Sequence, residues 1–508
     1  HSLYFDFLCD DAFISFVYAR NFAEHNQLVF NLGDRVEGYT NFLWTVLLGL
    51  GMKLGVAPEF SSRFLGTLFG VGSLVVITLW TERVLARRTV WAFLPATLLA
   101  MSSGFACWSS GGLETQMFTL LVTLGLYTFS DESRALYVSG IFLALAAMTR
   151  PEGSLVFFLC VLFRVGQNLS RERRLLPTRG EWLWGAAFVG LYAPYFLWRW
   201  HYYGYFFPNT FYVKAGASPS PAYAAQVWKN GLYYAWRWAT QSGAGGAAPL
   251  GLGAAFRRPR LGGLLLVVSL AYLAYVVRVG GDFMGLHRFV MPLFVITALL
   301  SSVGLYELTI ALAGKFPSSR WHRALAPTLM AAVVGLFAWS QARLSYASQE
   351  PRADRGIDRP GYLKVYAHDR GALGKVLAPL LRPEDFSIVG GVGVQPYYAR
   401  MRAIDVFGLV SADIAHHVPP TNPRPGHQKW APAELLLSYQ PTFIFHCYDL
   451  HREPTRYHLC GESSLFLRRG YEPVTLHVPG LQERGEYYTF LKRKDRDWPQ
   501  GPRTTNEP

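Results

Sequence analysis

The chain has 508 residues, of which 51% are hydrophobic, 15% aromatic and only 16% charged, against about 25% charged in a typical soluble domain. Its net charge is +14, but the Lys and Arg residues fall in short clusters between apolar runs, which excludes the one-faced basic footprint of a nucleic-acid binder. Five cysteines without CxxC or zinc spacing exclude a zinc module, and a mean hydropathy of +0.16 means that an apolar part is diluted by a polar one.

The dilution is uneven. Apolar runs dominate to about residue 346, and Pro, Arg, Asp and His crowd in afterwards. We therefore expect an α-helical polytopic membrane domain over 1–346 with an outer-face first loop at 1–58. An extracytoplasmic α/β domain over 347–494 and a polar, disordered tail over 495–508 follow. The chain opens on His1 with neither methionine nor a signal-like segment, as expected of a piece that has lost a preceding membrane helix. Residues 11–24 suit an amphipathic helix, with Phe13, Phe16, Val17 and Arg20 spaced for one lipid-facing and one polar side. The apolar run 41–54 is shorter than the roughly 20 residues a span needs, so it reads as an interfacial helix anchored by Trp44.

About ten spans are then expected, at 59–85, 89–106, 113–130, 135–149, 154–169, 181–200, 243–256, 261–279, 288–313 and 324–343. Alternate turns carry Arg83, Arg87 and Arg88; Arg134; Arg171, Arg173, Arg174 and Arg179; Arg257, Arg258 and Arg260; and Lys315, Arg320 and Arg323. Short loops rich in Lys and Arg stay in the cytoplasm. The opposite turns are therefore outside, and they hold the acidic and polar residues that could do chemistry. Beyond 347, residues 386–389, 403–406 and 442–445 read as short strands and 435–439 as a helix. Gly390-Gly391-Val392-Gly393 lacks dinucleotide spacing and reads as a tight strand-to-helix turn. Cys447 and Cys460 could pair if this domain is exported.

Among the outer residues, the adjacent Asp10 and Asp11 stand out, since acidic groups at a bilayer face are costly. One could take a proton from a hydroxyl, with its pKa raised beside Phe5, Phe7 and Phe13, while the other caps the helix or holds an Arg; simple helix capping is the competing account. Arg150 and Glu152 fit either a phosphate grip or a local ion pair closing the hairpin. Glu37, Tyr39 and Asn41 suit sugar binding or a polar helix start, and Glu114 lies in another outer turn. Asn209 and Lys214 end an aromatic stretch whose rings form an interfacial belt, with Lys214 a candidate phosphate ligand. Asp282, His287 and Arg288 open a further span as candidate lipid-phosphate ligands. No His cluster has metal spacing; a divalent ion shared by Asp10, Asp11 and Glu37 has nothing further to support it.

Taken in order, Asp10-Asp11, Glu37-Gly38-Tyr39-Thr40-Asn41-Phe42-Leu43-Trp44, Thr149-Arg150-Pro151-Glu152-Gly153, Pro208-Asn209-Thr210-Phe211-Tyr212 and Gly280-Gly281-Asp282-Phe283 resemble the GT-C superfamily of polytopic glycosyltransferases. Within it, the set resembles the branch of mycobacterial terminal β-(1→2)-arabinofuranosyltransferases and the related flagellar motor-control family. Asp405-Val406-Phe407-Gly408-Leu409 and Gly426-His427-Gln428-Lys429 resemble that branch's C-terminal domain. The resemblance implies a polyprenyl-phosphate sugar donor, arabinofuranose at family level, and a cell-envelope glycan acceptor. It also implies a bacterial plasma membrane location with the catalytic face outward, inversion at the anomeric carbon, Asp10 or Asp11 as general base, and no required cofactor. A lipid-linked sugar flippase would instead need ionisable groups near mid-membrane and paired broken helices. A non-catalytic membrane scaffold would tolerate Asp10→Ala.

Overall fold

The structure, a computed structural model, describes residues 1–131, 136–170, 173–174, 176–214, 219–315, 320–455 and 458–498. Each expected span coincides with helix. Four helical runs are long and apolar enough to cross a membrane: Pro58–Leu85, Glu152–Ser170, Pro259–Arg278 and Gly285–Gly314. A fifth crossing would combine Val90–Met101 with Ser103–Ser110, which meet at a bend of 64°. Ser102 breaks this pair with an extended backbone (φ −65°, ψ 126°). The Ser103 N–H freed by the break donates to Gln341 Oε1 (3.0 Å), so the kink leaves no orphaned donor there. The apolar helices Thr115–Phe129 and Tyr137–Thr149 are shorter, and Arg179–Tyr203 and Arg320–Ser348 are long but more polar. The protein is a multi-pass membrane protein. One helix, Pro221–Gln241, was not expected; it starts with Ser220 accepting from the Tyr223 N–H and Pro221 in the first turn.

The two ends of the helical bundle differ. Pro58–Leu85 has 28 residues, about 42 Å at the usual rise. At its start Glu59 accepts from the Tyr398 hydroxyl of the C-terminal region, and at its finish Arg83 pairs with Asp131 (2.6 Å). The same far end gathers Arg87 against the Tyr306 ring, and Arg257 and Arg258 against Glu307. The basic turns at 83–88 and 257–260 thus share one end, opposite the C-terminal domain. Arg134 and Arg171 lie outside the described residues.

Two expectations for the first loop are corrected. Helix Asp10–His25 is not an amphipathic helix with a lipid face: its residues from Ala12 to Asn21 are all buried. Polar side chains on it bind protein on every side, with Asn21 donating to the Val29 and Phe30 carbonyls and Arg20 to the Tyr397 carbonyl. Trp44 in helix Phe42–Lys53 does not anchor at an interface either. It is fully buried, donating from Nε1 to the Gly112 carbonyl (3.2 Å). That helix has 12 residues, too few to span.

The C-terminal region is the expected α/β domain. A small ladder pairs β1 (Ala353–Asp354) with β2 (Ile357–Asp358) and leads into helix Pro360–Leu377. The main sheet has the order β4-β3-β5-β7-β6, built from β3 (Phe386–Val389), β4 (Arg402–Asp405), β5 (Phe443–His451), β6 (Tyr471–His477) and β7 (Tyr487–Arg493). β3 runs parallel to β4 and β5, and β7 antiparallel to β5 and β6. The glycine run at 390–393 is the turn between β3 and helix Val394–Ala399. Cys447 and Cys460 form a disulfide. Within the expected tail, Arg496 pairs with buried Asp385 and Trp498 packs against Phe443 and Phe490, so 495–498 belong to the domain; 499–508 lie outside the described residues.

Candidate active site

The C-terminal domain sits over the head of helix Asp10–His25 and encloses a cavity of about 340 Å³. Asp10, Asp11 and Lys214 form its floor, and Tyr362, Tyr366, Arg370, His427 and Trp430 its walls. A second, smaller cavity of about 100 Å³ is lined by Tyr39, Asn41, Glu114, Arg150, Arg288 and Thr210. Asp11, Ile14, Lys214 and Leu409 line both, so the two share one wall.

Both aspartates lie in the first helical turn, where the positive end of the helix dipole favours carboxylates. Neither is the cap: that position is Cys9, which makes no side-chain cap bond. Their partners differ. Asp11 holds Arg288 at 3.5 Å, and Arg288 is gripped more tightly by Asp282 (2.6 Å). Asp10 Oδ1 accepts the Val394 N–H at 2.8 Å. Burial pushes the Asp10 carboxyl up to about 6, against the opposing pull of the Val394 amide, and burial also raises Asp11 above the usual carboxylate range.

Arg150 forms the local ion pair and also lines a cavity. It pairs with Glu114 (2.8 Å) and with its near neighbour Glu152 (3.2 Å), and it lines the small cavity. Asn41 donates to Glu114 (2.8 Å) and to Ser15 (3.0 Å), tying this triad to helix Asp10–His25. Tyr275 donates to Glu152. The Phe289 ring lies beside both guanidiniums, 4.8 Å from Arg150 and 5.4 Å from Arg288. Arg288 follows two non-glycine residues in left-handed backbone, Leu286 (φ 59°) and His287 (φ 65°), a conformation that costs about 1–3 kcal/mol per residue and clusters at functional sites. Lys214 closes the short helix Asn209–Lys214. Among the described residues it has no ion-pair partner within 4 Å.

Three expected site residues are turned elsewhere. Glu37 is locked to Arg199, 2.6 Å away on helix Arg179–Tyr203, and lines neither cavity. His287 faces a separate cleft and meets Gln241 at 2.7 Å, because the left-handed pair reverses the chain between it and Arg288. Asn209 donates to the carbonyls of Gly408 (2.7 Å) and Leu409 (2.9 Å), holding the loop that carries Phe407 and Leu409 into the large cavity. Asp405 finishes that loop by accepting the Leu409 and Val410 amides. Sequence reasoning missed Tyr362, Tyr366 and Arg370, which stand on one helix and carry no motif. It also missed the ion pair of Arg424 with Asp358 (2.8 Å) at the cavity rim. Among the described residues, the compact group with metal-ligand atoms is His446, Cys447 and Cys460, and its cysteines are joined to each other.

Searches against protein-family models return no match. Two curated relatives are terminal β-(1→2)-arabinofuranosyltransferases. That of Corynebacterium glutamicum is 27% identical over 329 residues, covering 57% of this chain and 47% of the relative. That of Mycobacterium tuberculosis is 29% identical over 252 residues, covering 45% and 37%. The chain therefore spans less than half the length of either. Among solved structures, ArnT from Cupriavidus metallidurans bound to undecaprenyl phosphate superposes with a TM-score of 0.61 at 13% identity, over 96% of this chain and 95% of that one. The Archaeoglobus fulgidus oligosaccharyltransferase superposes with a TM-score of 0.51 at 12% identity, over 78% and 61%. The chain is thus similar in sequence to part of the terminal arabinofuranosyltransferases and shares the overall fold of ArnT.

Proposed function

We propose that this GT-C chain is an inverting glycosyltransferase that moves a sugar, arabinofuranose by relationship, from a polyprenyl-phosphate donor to a cell-envelope glycan. The observation that carries this reading is the meeting of Asp10 and Asp11 with Lys214, Arg288 and Arg150 around two cavities with a common wall. The small cavity suits the donor phosphate. Lys214 is its principal cation, and the loose Arg288–Asp11 contact is the one a phosphate would replace most readily. The large cavity, with its tyrosines, Trp430 and Arg370, suits the acceptor glycan.

In this reading the acceptor hydroxyl oxygen attacks the anomeric carbon while the bond from that carbon to the phosphate oxygen breaks. Asp10 takes the hydroxyl proton, and the lipid monophosphate leaves into the field of Lys214 and Arg288. Asp11 holds Arg288 in place and is the alternative base. The chemistry needs no metal ion to balance. The basic clusters at the opposite end of the bundle support an extracytoplasmic site in a bacterial plasma membrane. Membranes supplied with radiolabelled polyprenyl-phosphate sugar should transfer label to endogenous glycan, and Asp10→Asn should abolish the transfer. Transfer equal to wild type by both Asp10→Asn and Asp11→Asn would exclude the reading.

A further inference from the structure

The loop after β3 closes directly on Asp10. Besides the Val394 amide bond, a Cβ added at Gly393 would lie 2.0 Å from the Asp10 carbonyl oxygen and 2.6 Å from its Cγ. At Gly391 it would lie 2.4 Å from the Tyr366 hydroxyl and 3.1 Å from Asp10 Oδ2. A side chain at Gly393 would have to displace the Asp10 backbone as well as its carboxylate, and one at Gly391 the tyrosine. A turn needed only to join a strand to a helix has no reason to press two glycines against a carboxylate about 380 residues away in the chain.

We propose that Gly391, Gly393 and Val394 are positioning residues through which the C-terminal domain clamps the base carried by the membrane domain. The clamp deepens the transferase reading and rests on it. The carboxylate is seated between the loop and the Tyr366 hydroxyl, with the Val394 amide donating to Oδ1 and the Gly393 amide beside it. The groups facing Asp10 are Cys9 and Asp11 on its own helix, Tyr366 and Arg370 on helix Pro360–Leu377, and the amides of the loop. Arg288 acts on it through Asp11. Of these, the Val394 N–H is a donor that one substitution can remove. Val394 is the first residue of its helix, where the helix itself does not need the N–H; proline there removes the donor and sets its Cδ against Asp10 Oδ1, so the carboxylate loses the bond and is pushed from its seat.

The test uses the full chain in membranes and compares Val394→Pro, Gly391→Ala, Gly391→Ala/Tyr366→Phe and Asp10→Asn with wild type. Rates are followed from pH 5 to 9 and thermal unfolding is read in detergent. Val394→Pro is expected to lower kcat/KM at all pH values and to move its acidic limb to higher pH, the loss being about 3–10-fold greater at pH 6 than at pH 8, since the lost bond favoured the charged carboxylate. Gly391→Ala is expected to lower kcat at all pH values with the donor KM within about threefold, and Tyr366→Phe in that background to recover at least half of the loss by clearing the nearest clash. If Asp10→Asn abolishes transfer while Val394→Pro gives the wild-type pH profile and Tyr366→Phe recovers nothing, the clamp is wrong and the transferase reading stands. An active Asp10→Asn would remove Asp10 as the base and the clamp with it, leaving the transferase reading to Asp11. Should Val394→Pro fail to fold, the alanine variant and its rescue decide alone.

Discussion

Asp10 keeps its proton more readily than a free carboxylate because the cavity wall strips water from it, and this raises its pKa to about 6 from 3.8. A base must be deprotonated to act, so kcat/KM should be present above pH 6 and fall as the pH drops through that value. A pH–rate profile checks this. Because the folded state disfavours the ionised side chain, stability at neutral pH gains nothing from the Asp10 charge. Asp10→Asn should therefore lower transfer by about 10²–10⁴-fold while the unfolding temperature holds or rises. Arg150 behaves oppositely. Arg150→Met would leave Glu114 and Glu152 as buried, uncompensated carboxylates, and the loss of stability should be about 3–5 kcal/mol, read by denaturation in detergent. The adjacent aspartates were legible as a site because two carboxylates beside long apolar runs have few other uses. The partner of Glu37 was not legible: Arg199 lies 162 residues on, inside a span that composition alone assigns to the membrane.

The short helix Asn209–Lys214 does two jobs that its sequence keeps apart. Its first residue grips the 408–409 carbonyls of the C-terminal domain, and its last places Lys214 on the wall between the cavities. Asn209→Ala should therefore loosen the loop at 408–411, seen as faster amide hydrogen exchange there, and should weaken donor binding through Lys214 as a rise in KM. The strained turn before Arg288 is likewise an element whose purpose appears only in three dimensions. The helices at the expected spans could be found from their apolar runs, whereas Pro221–Gln241 escaped notice because polar and aromatic residues interrupt it. The reversal at Leu286 and His287 escaped too, since nothing in a Leu-His pair announces left-handed backbone. Adjacent in sequence, His287 and Arg288 serve different clefts.

On the scale of the molecule, charge sorts along the bundle: the paired arginines at 83, 257 and 258 collect at one end and the carboxylate-lined cavities at the other. If the basic end is cytoplasmic, a cysteine placed on the exposed face of the C-terminal domain should react with an impermeant maleimide in intact spheroplasts, and one placed beside Arg88 only after lysis. The division at about residue 346 was readable from composition. That the second domain roofs the first was not, because contacts between Asp10 and Val394 leave no local signature.

The shared wall of Asp11, Ile14, Lys214 and Leu409 has a kinetic corollary. Two chambers that open onto the same floor can be occupied together, so neither reactant must depart before the other arrives, and no sugar need be parked on the protein in between. Initial velocities measured at several fixed acceptor levels should then give double-reciprocal lines that intersect; parallel lines would mean a covalent sugar–protein intermediate.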